Sequence, residues 1–387
     1  MAQLLLPNSN GSLETYAVDR ASPFPLTSNS AFPRVVYAAA HVVADPLRTV
    51  DPSGEAAVDW DATLAFRRHL WGLGFKVAEA MDTSQRGMGF EWRQAKELIR
   101  RTLADARHVP GADLASGAGT DHLSPDEARS LDEVIRAYET QVEFIESHGG
   151  RIILMASRAL AAVARSPEDY FQVYSRVLSG CRNKVILHWL GDMFDPALSG
   201  YWGSRNVAAA MDSCCAVISE HRSKVEGIKI SLLETSHEIA MRRRLPAGVA
   251  MYTGDDFNYA ELIAGDEHGF SHGLLGIFDP IAPAAAAALA RLGAGDRLAY
   301  DDILAPTVAL SRKIFEAPTQ YYKAGVVFLA WLNGFQGHFT MVGGMQSARS
   351  ILHYAEVFRL AHEADLLIDP DRAASRMRTL CALHGIE

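Results

Sequence analysis

Gly227-Ile228-Lys229-Ile230-Ser231-Leu232-Leu233 places an amine among the apolar, β-branched residues of a strand. An ammonium left unpaired in an apolar interior is costly, so lysine side chains usually end in water. When a strand lysine does point inward, desolvation and cationic neighbours lower its pKa. Part of it is then the neutral amine that attacks a ketone to form a Schiff base. The heptapeptide alone fits an outward-facing or paired structural lysine equally well, and its place in the chain decides between these readings.

Seven further short apolar runs flank it, at residues 35–39, 75–80, 113–116, 151–155, 184–189, 249–252 and 273–278. Between them the apolar spacing predicts helices, among them 60–73, 91–106 and 125–147. The third is read as opening on Ser124-Pro125-Asp126-Glu127, an N-cap followed by a first-turn proline and early acids. Strand–helix alternation implies a parallel sheet, and eight units in this span imply a closed (β/α)₈ TIM barrel over 34–295, with Lys229 in the sixth unit. No Gly-x-Gly-x-x-Gly opens a helix after the first run, which argues against a dinucleotide-binding open sheet.

Two segments lie outside the barrel. Residues 1–33 carry Asn10-Gly11 between two apolar runs, the mark of a β-hairpin, read here as a floor for the barrel. Residues 296–387 read as a C-terminal helical bundle, with helices near 303–317, 320–333, 345–364 and 370–384. Within the second of these, Tyr321, Tyr322, Val326, Val327, Phe328, Leu329, Trp331 and Leu332 are apolar around most of a helix. Such a helix must be buried in its own domain or by another subunit, so a homo-oligomer, dimer or tetramer, is expected.

The chain has 387 residues and a net charge of −9, with no extended basic run, which excludes a nucleic-acid surface. Arg242-Arg243-Arg244 is the densest basic cluster and reads as the end of a helix. Cys181, Cys214, Cys215 and Cys381 show no metal spacing and read as reduced thiols of a cytoplasmic protein. No signal-peptide pattern opens the sequence, and no stretch approaches the ~20 apolar residues of a membrane span.

Barrel chemistry gathers at the C-terminal ends of the strands. There the sequence offers His41 and Asp45; Glu79, Asp82, Thr83, Ser84 and Gln85; Thr120, Asp121 and His122; Ser157 and Arg158. The later units add His188, Asp192, Lys229, Glu234, Asp255, Asp256 and Asp279. Glu79, His188 and Lys229 fall within strands, where an inward polar group needs a partner or a task.

These residues resemble the dihydrodipicolinate synthase/N-acetylneuraminate lyase superfamily of Schiff-base barrels. Gly227-Ile228-Lys229 matches its sixth strand, Thr253-Gly254-Asp255-Asp256 is similar to the motif after its seventh, and Tyr322-Lys323-Ala324 to a Val-Lys-Ala near its end. Asp82-Thr83-Ser84-Gln85-Arg86 occupies the slot of its Gly-Thr-Thr-Gly-Glu, keeping the adjacent hydroxyls and losing the flanking glycine and the Gly-Glu. The resemblance implies Lys229 as the Schiff-base lysine and Thr83 and Ser84 as the hydroxyls that hold a 2-oxo acid carboxylate. His188 stands where the family has its proton-shuttling tyrosine. The arginine of the synthase branch is absent from Asp192-Met193-Phe194-Asp195, and Ser157-Arg158-Ala159 replaces its tyrosine pair. This makes the chain a divergent member and not a true dihydrodipicolinate synthase.

The expected activity is therefore a lyase of aldolase or dehydratase type acting on a small 2-oxo acid or keto-sugar-derived substrate, without cofactor or metal. Lys229 and His188 are its catalytic pair, His188 shuttling protons with a pKa near the working pH. Thr83, Ser84, Glu79, Asp82 and Arg158 are its substrate contacts, with Glu79 alternatively a structural partner of Lys229, and Asp255-Asp256 a helix cap. Two other readings stand beside it. One is a divalent-metal sugar isomerase or epimerase using His41, Glu79, Asp82, His188, Asp255 and His272. The other is a non-catalytic binding barrel.

Overall fold

The computed structural model describes residues 2–28, 30–48 and 56–387. A hairpin of β1 (Ala2–Pro7) and β2 (Leu13–Val18) precedes eight parallel strands: β3 (Val36–Ala39), β4 (Lys76–Glu79), β5 (Leu114–Ala118), β6 (Arg151–Leu154), β7 (Val185–Leu190), β8 (Val225–Ser231), β9 (Ala250–Thr253) and β10 (His272–Leu275). The eight close into a barrel in sequential order, β10 pairing β3, so every run read from the sequence becomes a stave of one cylinder. Lys229 lies on β8, the sixth barrel strand.

Period-two alternation sorts the strand residues. Tyr37, Ala78, Ala115, Ile153, Ile186, Tyr252 and Leu274 pack together as a lumen core, while Val77, Leu114, Ile152, Leu187, Ile228 and Ile230 join the core shared with the helices. The bottom of the lumen is sealed by ions. Asp113 bridges Lys76 at 2.6 Å and Arg151 at 3.1 Å, and Arg151 pairs with Glu226, which accepts from the Tyr252 hydroxyl at 3.0 Å.

That plug corrects the expected role of the hairpin. β1 and β2 dock instead on the last two helices, Ile351–Glu363 and Pro370–Leu383. Arg359 reaches the Pro7 carbonyl at 3.1 Å and Glu14 at 2.7 Å, and the Tyr16 hydroxyl meets His362 Nδ1 at 2.9 Å.

Two further expectations change. The third helix begins at Leu131 under a Ser130 cap, because Ser124 closes a turn in which its carbonyl accepts from Glu127. The apolar helix, Lys323–Leu332, is buried at all of its residues within its own chain. Its apolarity therefore gives no reason for a second subunit. The other terminal helices run Arg297–Ile314, through Pro306, and as given above for 351–363 and 370–383. The triple arginine ends the helix Thr235–Arg242 as read, with Arg242 and Arg243 on Asp266 and Arg244 on Asp212. The four cysteines are free. Among the described residues no helix is long and apolar enough to cross a membrane.

Candidate active site

Lys229 shares its parity on β8 with Gly227 and Ser231 and enters the lumen, where it is 7 % exposed. Its stem runs over Gly254, just past β9. A Cβ there would stand 2.5 Å from Lys229 Cε and 2.3 Å from Ser231 Oγ, so this position needs glycine. Burial lowers the lysine pKa from its ordinary value, opposed by Asp256 and then Asp82.

Those opposing acids come from two sides. Asp256 is buried, accepts from the Ile277 amide at 2.9 Å, and is pushed up to about 7 by burial, with Lys229 pulling the other way. Asp255 beside it does the capping expected of the pair, accepting from Phe257 N at 2.9 Å and Asn258 N at 3.0 Å. The two adjacent aspartates thus face different ways and do different things.

His188 is the Cα partner of Lys229 across the β7–β8 ladder. Its Nε2 lies 3.4 Å from Ser231 Oγ, and its Nδ1 is buried without a hydrogen-bond partner among the described residues. Burial, and then the Lys229 charge, pull its pKa well below the ordinary histidine range. The expectation of an imidazole poised near the working pH is therefore corrected: His188 is neutral in the resting site, because it is buried and shares the lumen with an amine.

Thr83 and Ser84 sit in the short 3₁₀ turn Asp82–Ser84 that follows β4, and both are buried. They are not equivalent. Ser84 Oγ donates to the Met81 carbonyl at 2.7 Å, so its hydrogen is committed to the backbone. Thr83 Oγ1 meets the Tyr322 hydroxyl at 2.8 Å.

Asp82 and Arg158 line a cavity of about 140 Å³ whose wall also includes His188, Thr120, Met155 and Asp195. Arg158 opens the helix Arg158–Val163 and pairs with Asp195, and its guanidinium lies against Gly87, where a Cβ would be 2.9 Å from Nη1. This cavity gathers His188, Asp82 and Arg158, while Lys229 faces His188 across the ladder and lies in the field of Asp82. Lys323, 5 % exposed, comes in from the C-terminal region with Nζ on the Gln320 carbonyl at 3.0 Å, and burial brings its pKa down to about 8.

Glu79 is the exception among the expected contacts. Its place on β4 turns it to the helix layer, where Oε1 and Oε2 bind Arg67 at 2.8 and 3.0 Å and Oε2 also accepts from Thr102 at 2.8 Å. It holds neither substrate nor Lys229; one residue of parity separates it from the lumen.

The proposed metal ligands are likewise dispersed. His41 Nδ1 is bound to Asp279 at 2.7 Å, and Asp255 caps a turn. His272 accepts from the Val35 amide at the opposite end of the barrel. Among the described residues no group of three His, Cys, Asp or Glu is placed to hold an ion. Sequence reading missed Asp256 as the acid facing the lysine, and Tyr322 as the partner of Thr83. The one available signal was a tyrosine and a lysine, Tyr322-Lys323, entering an otherwise apolar helix.

The closed parallel barrel is also the fold of solved dihydrodipicolinate synthases. The chain is similar to a monomeric dihydrodipicolinate synthase variant (TM-score 0.63, 14 % identity, covering 90 % of this chain and 100 % of that one). It is also similar to the chloride-inhibited synthase of Acinetobacter baumannii complexed with pyruvate (0.61, 14 %, 87 % and 100 %). The synthase of Thermotoga maritima aligns comparably (0.61, 14 %, 86 % and 99 %). The family model described as a protein of unknown function, DUF993, matches residues 4–386, and the chain belongs to that family. No curated protein matches it.

Proposed function

We propose that this protein is a Schiff-base-forming lyase, of aldolase or dehydratase type, that acts on a small 2-oxo acid. The observation that carries the reading is Lys229: an amine with lowered pKa, inside the lumen, facing an uncharged histidine across the strand ladder and in the field of Asp82, which opens the turn carrying Thr83. Desolvation that lowers the pKa also increases the fraction present as free amine at neutral pH.

In this reading the Lys229 amine adds to the substrate ketone, and loss of water leaves an iminium. The iminium draws electrons from the adjacent carbon, so a proton or a carbon substituent departs from it and an enamine forms. His188, neutral beforehand, takes that proton as the iminium charge is discharged into the enamine, and later returns it to the substrate carbon. Thr83 holds the substrate carboxylate, while Asp82 and Arg158 contact the remainder of the substrate in the cavity.

Incubation with pyruvate and borohydride, followed by mass spectrometry, tests the proposal. A reduced adduct on Lys229 is expected. Absence of an adduct across a panel of 2-oxo acids and keto sugars, with activity abolished by a chelator, would overturn it in favour of metal chemistry.

A further inference from the structure

Tyr322 enters the barrel mouth from outside the barrel, at the N-terminus of the helix Lys323–Leu332. Its ring stacks on Phe315 with centroids 4.3 Å apart and planes at 13°, and Phe194 packs edge-on at 6.1 Å. Gly276, just past β10, makes the room: a Cβ there would lie 3.2 Å from the Tyr322 ring and 3.4 Å from Thr83 Oγ1. The ring is thus fixed on three sides, and its hydroxyl meets Thr83 Oγ1 at 2.8 Å.

The direction of that bond follows from what each hydroxyl can reach. Thr83 Oγ1 is the partner of the Tyr322 hydroxyl among the described residues, and a buried O–H without an acceptor is penalised. A phenol is also a stronger hydrogen-bond donor than an alcohol. Burial, followed by the nearby Asp82, keeps Tyr322 protonated far above neutrality. Tyr322 therefore donates, Thr83 accepts, and the Thr83 hydrogen is left to point elsewhere. Ser84, its neighbour, has already given its hydrogen to Met81. Thr83 is the one of the two hydroxyls free to donate to a ligand.

We propose that Tyr322 is a positioning residue of this site: by donating to Thr83 Oγ1 it orients the Thr83 hydroxyl as a donor toward the carboxylate of the 2-oxo acid held on Lys229. The proposal rests on the Schiff-base reading above and adds that the C-terminal helical region completes the site. Asp82 and Asp256 act on both Lys229 and Tyr322, which places the two side chains in one electrostatic neighbourhood.

The test compares two ketone probes of similar size, pyruvate and the carboxylate-free hydroxyacetone, by the concentration needed for half-maximal borohydride trapping on Lys229. Tyr322→Phe should raise that concentration for pyruvate roughly tenfold, as for loss of a hydrogen bond to a charged group, and leave hydroxyacetone within about twofold. Thr83→Val should act the same way, Thr83→Ser should restore the preference for pyruvate, and the double variant Tyr322→Phe/Thr83→Val should be no worse than Thr83→Val alone. Equal weakening of both probes by Tyr322→Phe, or no change with pyruvate, overturns this proposal and leaves the Schiff-base reading standing. A wild-type protein trapped by neither probe overturns both. If Tyr322→Phe misfolds, Thr83→Val against Thr83→Ser still decides whether a donor hydroxyl at Thr83 selects carboxylates.

Discussion

His188 and Lys229 are direct partners across two neighbouring barrel strands, and burial, followed by the charge of the lysine, holds the histidine pKa well below its ordinary range. A neutral imidazole beside a lowered-pKa amine suits a reaction in which positive charge forms on the lysine nitrogen and is then discharged. In the proposed reaction His188 would exchange its proton with the substrate carbon beside the Lys229 nitrogen.

This coupling separates two steps. Lys229→Ala should give no adduct with borohydride. His188→Ala should still be trapped but turn over roughly a hundredfold more slowly, the usual loss on removing a general acid/base. Turnover by His188→Ala equal to wild type would show that the histidine is only packing.

Burial of Lys229 should be visible in stability. Its folded pKa lies below the unfolded one, so between the two the unfolded chain binds more protons. Stability from this group therefore rises with pH through that window and is lowest below it. Lys229→Met should raise the melting temperature at pH 7, by the equivalent of about 1–2 kcal/mol, while abolishing trapping. A lower melting temperature would mean that the ammonium is well paired.

Glu238 provides the opposite sign. It is buried, accepts from Ser271 Oγ at 2.6 Å, and has one oxygen unpartnered among the described residues; burial raises its pKa to about 8. The folded state holds this proton where the unfolded state has lost it, so its contribution falls as pH rises from about 4.5 to about 8. Glu238→Gln should flatten that decline in thermal melts, with the largest gain at pH 8. Parallel curves for variant and wild type would rule the assignment out.

Glu79 should prove structural. Glu79→Gln leaves Arg67 as a buried cation without its charge partner, a class of change that costs about 3–5 kcal/mol. Circular dichroism melts should show the loss, while whatever protein remains folded should trap pyruvate normally. Normal stability with lost trapping would return Glu79 to the substrate.

Gly254→Ala tests the path of the lysine. The new methyl would stand where Lys229 Cε and Ser231 Oγ now approach, so the amine must be displaced. Trapping should fall at least tenfold, in line with what small displacements of reacting groups cost. An unchanged rate would show that Lys229 has room to move.

Much of this architecture is legible in the sequence. Eight apolar runs separated by amphipathic helices specify a barrel because period and order are local properties of the chain, and they put Lys229 on the sixth strand without knowledge of any contact. The resemblance of Gly227-Ile228-Lys229 to a family motif then points to the lysine. Parity is the weak point. Glu79 and Lys229 are both strand residues, yet one faces the helices and the other the lumen, and a single position in register separates those outcomes.

Partners lie beyond the reach of local pattern. Thr83 and Tyr322 are 239 positions apart, and the hairpin meets helices at the far end of the chain. Which of two adjacent aspartates faces Lys229, and which of two adjacent hydroxyls keeps a free hydrogen, depends on how the turns after β4 and β9 lead the chain away from the barrel. His188 shows the same limit in its charge, since the sequence names an imidazole but not the burial and the neighbouring amine that keep it neutral. Short-range periodicity is enough to specify the cylinder and the position of its lysine. Polarity, pairing and pKa arise only when the barrel closes, because they are set by whatever distant groups the fold brings within a few ångströms.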